Sequence, residues 1–174
     1  MNNEILEPKK YILWGIPILF FVGSFFHFIY EWSGNCALIA VIAPINESVF
    51  EHLKLVFVPF VLWWSLYYIF KGDRYGVDIN RWFTSMLLGL VVSMLLIPMF
   101  FYFYTGILGV NHIIFVDITI FLIALALGSF VARHYYIYGK GINWKIAIAI
   151  TVILFFIFVY LTFSPPNIPF FISF

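Results

Sequence analysis

The chain has 174 residues, of which 64% are hydrophobic and 10% charged, with a net charge of +1 and a mean hydropathy of +1.06. A soluble domain carries about 25% charged residues, so a water-facing surface around this chain is excluded. The small, scattered charge excludes a nucleic-acid partner, and the single cysteine, Cys36, has no second cysteine for an internal disulfide.

The first apolar run, 11–31, follows Lys9 and Lys10. It is as long as a full membrane span and no small-x-small cleavage site follows it, so it reads as a retained helix rather than a removed signal. Four more runs follow at 46–70, 79–105, 111–137 and 142–163, separated by polar or glycine-containing breaks such as Lys71, Gly72, Asp73 and Arg74. The expected fold is all-α: one domain, 1–174, forming a polytopic transmembrane bundle of five helices. Pro59 and Pro98 lie inside spans, where proline is tolerated and often kinks the helix. The tail, 164–174, holds Pro165, Pro166 and Pro169 and is no long helix; its Phe170, Phe171 and Phe174 suit a membrane interface.

Basic residues set the expected orientation, because cytoplasmic loops hold an excess of Lys and Arg. With five spans, Lys9, Lys10, Lys71, Arg74, Arg81, Arg133, Lys140 and Lys145 fall on one side, and only Lys54 on the other. The amino terminus is therefore expected inside and the carboxyl terminus outside, in the cytoplasmic membrane, with lipid as the surrounding partner. A second copy of the chain or a small membrane subunit is the protein partner such a bundle would take. Small residues at intervals of four, Ser85, Gly89 and Ser93 against Ala124, Gly128 and Ala132, predict close packing of the third and fourth spans. Trp14 and Trp82 read as inner interface anchors, Trp32 as an outer one, and Trp63 and Trp64 as packing residues.

Ionisable groups inside spans are expensive and mark functional sites. Here Glu31, Glu47, Glu51, Asp117, His27, His52 and His112 all gather toward the expected outer side. His27 and Glu31 are four apart on one helix face, with Ser24 a turn deeper; Glu47 and Glu51 are likewise four apart, with Lys54 on the same face and Ser48 and His52 beside it. Pro44 halts the preceding loop, Asn46 is the expected helix cap, and Glu47 is then expected in the first helical turn, where the dipole favours an anion. Capping and a Glu51–Lys54 pair would also stabilise a helix end without any further role. The concentration of seven titratable groups from three spans at one depth favours a shared site over that plain explanation.

The segments HFIYEWSGN and APINESVFEHLKLVFVPF contain a PxNESxxEHxK pattern, from Pro44 to Lys54, joined to His27, Tyr30, Glu31 and Trp32. In this it resembles a family of small, uncharacterised prokaryotic integral membrane proteins with about five spans. The resemblance implies the fold and the place of a site, and no activity.

Imidazole with carboxylate is the ligand set of zinc and other first-row divalent metals, so His27, Glu31, Glu47, Glu51, His52, His112 and Asp117 are the candidate ligands. Ser24, Asn46, Ser48 and Lys54 are their expected polar support. The same residues suit a proton- or cation-coupled transporter, a metal-dependent membrane hydrolase, or a small assembly or sensory subunit. The amino ends of the second and fourth helices would also suit an anionic head group.

Overall fold

In a computed structural model of the chain the described residues are 7–110 and 112–173. The acidic Glu4, the first residue of the expected fourth span at 111 and Phe174, expected at the interface, lie outside them. The elements are α1 (Pro8–Trp32), α2 (Ala37–Ala40), α3 (Val49–His52), α4 (Lys54–Lys71), α5 (Ile79–Leu108), α6 (Ile114–Tyr138) and α7 (Trp144–Phe163), followed by a 3-10 turn (Pro169–Phe171). Leu53, between α3 and α4, keeps helical dihedrals, so the two run on as a single rod, Val49–Lys71. Among the described residues five helices, this rod one of them, are long and apolar enough to cross a membrane. At about 1.5 Å per residue, even the shortest, 20-residue α7 reaches the roughly 30 Å of a hydrocarbon core.

Local chemistry sets the ends. Pro8 opens α1, where a missing amide hydrogen costs nothing. Asp78 caps α5 by accepting from the Arg81 amide at 2.8 Å, and Asn143 caps α7 through the Lys145 amide at 2.9 Å. Gly109, in the left-handed region at φ 63°, terminates α5 and donates its amide to Thr105. Prolines lie inside α1 (Pro17), α4 (Pro59) and α5 (Pro98).

Unlike a soluble bundle, this one is apolar on its flanks as well as in its core. Phe21, Ile69, Phe70, Phe103, Phe115 and Phe156 are exposed on the flanks, while Glu51, Lys54, Ser85, Ser93, Ser129 and Thr151 are buried. In lipid, polar side chains are best satisfied between helices and apolar ones can face outward.

Helix α1 packs on α4 and α6, α5 lies against α4, α6 and α7, and the closest of these approaches, α5 on α6, runs along small residues. A Cβ at Gly89 would lie 2.8 Å from both the Ala132 Cβ and the Gly128 carbonyl, and Ser93 Oγ donates to the Ala124 carbonyl at 3.0 Å. The α5 and α6 faces predicted from their small residues therefore do meet. Between α1 and α4, Tyr11 stacks on Trp63 with ring centroids 4.1 Å apart. Nearer the other end, a Cβ at Gly23 would come within 2.6 Å of both the Leu55 carbonyl and the Phe121 ring. Gly23 is the point at which α1 presses against α4 and α6 together. Trp82 is no interface anchor: it is fully buried, 4.4 Å from the Trp64 ring, and its indole donates to the Trp64 carbonyl at 2.9 Å.

Candidate functional site

The close approach at Gly23 prepares the site. One turn beyond it on α1 stands His27, and three residues before Leu55 on the neighbouring rod stands His52, so antiparallel packing of α1 against the rod brings the two imidazoles together, tilted at 45°. Their Nε2 atoms are 3.3 Å apart.

The third member arrives from a loop. The rod does not begin at Asn46: Ser48 is its cap, with extended dihedrals and a hydroxyl that accepts from the Glu51 amide at 3.3 Å. Asn46 instead accepts from the Ser48 amide at 2.9 Å, closing a short turn. Glu47 is therefore held ahead of the helix rather than in its first turn. Its Oε2 lies 3.4 Å from His27 Nε2 and 3.3 Å from His52 Nε2. The hydrogen bond with His52 is the main cause holding the Glu47 carboxyl down to about 2, with the charges of His27 and His52 adding to it and partial burial opposing.

His52 is also gripped from behind. Its Nδ1 lies 2.8 Å from the Ser48 carbonyl, and a carbonyl only accepts, so Nδ1 carries a hydrogen. In the neutral ring Nε2 then presents its lone pair toward His27 and Glu47, the tautomer a metal requires. Among the described residues, His27, Glu47 and His52 form a group able to hold a metal ion, with one ligand atom from each lying within 4.8 Å of the others.

A second polar group faces the same space. His112 Nδ1 is 3.4 Å from Asp117 Oδ2, and the Tyr104 hydroxyl donates to Asp117 Oδ1 at 2.6 Å while accepting from the Ile113 amide at 3.0 Å. His27, Glu47, His52, His112 and Asp117 all line one cavity of about 610 Å³ between α1, the Val49–Lys71 rod, α5 and α6. Ser24 lines it too, its hydroxyl committed to the Phe20 carbonyl at 2.8 Å.

Glu31 and Glu51 stand apart from this group. Glu31 is exposed a turn beyond His27. Glu51 is buried and turned away: its Oε2 accepts from Lys54 Nζ at 2.8 Å and from the Ile45 amide at 2.9 Å. Lys54 also donates to the Ala40 and Ala43 carbonyls at 2.8 and 3.3 Å. The Thr162 hydroxyl, 2.9 Å from Glu51 Oε1, ties α7 to the same knot. Tyr104 and Thr162 were not singled out in the sequence. Tyr104 was open to detection, since it lies across the short α5–α6 connection from Asp117; Thr162, 111 residues from Glu51, carried no such signal.

No curated protein and no solved structure matches the chain. The model of DUF6512, a family of unknown function, matches residues 1–173, and the chain belongs to that family.

Proposed function

We propose, for a chain whose family brings no activity with it, a multi-pass protein of the cell membrane that binds a divalent first-row metal, zinc in the first instance, at His27, Glu47 and His52. The observation that carries this reading is a triangle of ligand atoms. For metal–ligand bonds of about 2.0–2.1 Å, the edge of a tetrahedron is about 3.3–3.4 Å. The three separations are 3.3, 3.4 and 3.3 Å. Three protein ligands leave the fourth position to a small molecule from the cavity, the arrangement of an open rather than a closed zinc site.

The tautomer of His52 supports the same reading. A lone pair aimed at a carboxylate oxygen and a second imidazole is stable only with a cation between them, either a proton or a metal. Metal binding therefore displaces a proton and weakens as the pH falls. The partition of basic residues supports an inward amino terminus and an outward-facing site.

The test is elemental analysis of protein purified without chelator and then equilibrated with zinc. One zinc per chain is expected in the wild type and in Glu31→Gln, with loss in His52→Ala and Glu47→Gln. Wild-type protein that retains no zinc after equilibration ends the proposal.

A further inference from the structure

The cavity beside this triangle has a composition that restricts its ligand. Apart from Ser24, its polar lining consists of the two histidine–carboxylate groups; the remaining wall is apolar, with Leu55, Ile97, Phe101, Ile120 and Phe121 among its residues. Its volume of about 610 Å³ lies within the roughly 300–1,000 Å³ of small-molecule sites. A sugar, nucleotide or peptide would leave polar groups unpaired against these walls, which is costly. Among helices apolar enough to lie in lipid, the material at hand to cover such a wall is an acyl chain.

Charge selects the head group. A divalent ion held by one carboxylate and two neutral imidazoles retains one unit of positive charge at its open position. Asp117, the other carboxylate of the cavity, is already engaged by Tyr104 and His112.

Resting on the metal reading above, we infer that the cavity holds a single acyl chain whose anionic head group, carboxylate or phosphate, takes the open position at His27, Glu47 and His52. The chain lies along Leu55, Ile97 and Phe121, and the His112–Asp117 pair borders the head group.

The experiment uses the full chain in phosphatidylcholine nanodiscs, loaded with zinc or with cobalt, and titrated with fluorine-labelled palmitate or a fluorine-labelled monoalkyl phosphate. Saturable binding is expected for at least one probe, competed by its unlabelled form, and the relative affinities assign the source of the head group. Cobalt, and not zinc, should broaden the fluorine resonance of a label placed next to the head. Ile97→Trp, which fills the cavity, should weaken binding about tenfold or more while zinc stays at one per chain. Ile118→Trp, at an exposed position on the same lining, repeats the test with less risk to folding. Zinc-loaded protein with no saturable binding, with binding indifferent to both tryptophans, or with no cobalt effect near the head overturns this inference and leaves the metal reading standing. Wild-type protein that binds no zinc removes the metal reading, and the anchored head group with it.

Discussion

Glu51 and His52 are neighbours on a single turn, yet one enters a closed knot and the other an open cluster. Around Glu51 both carboxylate oxygens are engaged, by Lys54, the Ile45 amide and Thr162, and the ion pair is almost wholly buried, at 1% and 3% side-chain exposure. Around His52, Glu47 has 52% side-chain exposure and His27 has 29%, and the three ligand atoms lie 3.3 to 3.4 Å from one another. A buried ion pair contributes order when every group has a partner. An open cluster of three ligand atoms is, on the proposed reading, the part that binds. The lesson is that the PxNESxxEHxK segment does two jobs on adjacent faces, with Glu51 and Lys54 anchoring the loop that carries Glu47 to the histidines.

The sharpest way to break the contrast is to remove one partner of the knot. Glu51→Ala leaves the Lys54 ammonium buried and uncompensated, which costs about 3–5 kcal/mol. A large drop in thermal stability in detergent is expected, and the double variant Glu51→Leu with Lys54→Met should recover most of it. A wild-type melting curve for the single variant would remove the distinction. On the cluster side, His52→Ala should lower zinc affinity about a hundredfold or more, about 3 kcal/mol of binding, while costing the metal-free protein less stability than Glu51→Ala does; zinc titration and a chelated melt read the two separately.

A smaller probe is Thr162→Val, which deletes one hydrogen bond to the Glu51 carboxylate. It should cost about 1 kcal/mol of stability with zinc stoichiometry unchanged. Loss of zinc in that variant would show that knot and cluster are one unit.

The smallest effect concerns pH. The folded-state carboxyl of Glu47 is depressed from 4.5 to about 2, so its contribution to stability is present above pH 4.5 and is lost as the pH falls toward 2. Melting curves of metal-free wild type and Glu47→Gln should differ above pH 4.5 and converge below it. The knot is the control: the difference between Thr162→Val and Glu47→Gln with Thr162→Val should follow the same course.

The comparison also marks what was legible in the residues. Long apolar runs and their charged breaks are local properties, so five helices able to cross a membrane could be read directly. The Glu51–Lys54 pair was legible too, because residues three apart on a helix are neighbours. The start of the rod was not legible. Asn46 and Ser48 are both good caps, and the choice of Ser48 moved Glu47 off the helix. Trp82 was misplaced for a related reason: hydropathy reports depth along a span, and says nothing of which side of the helix faces a neighbour.

By itself, then, the sequence determined the apolar helices, the small-residue faces of α5 and α6, and the gathering of histidines and carboxylates at one end. Which of those residues touch was decided by tertiary structure alone. Contacts between helices depend on their mutual register and rotation, and these follow from steric fits such as Gly23 against Leu55 and Phe121. That fit turns His27 toward His52 and Glu47 and leaves Glu31, on the same helix, outside the group.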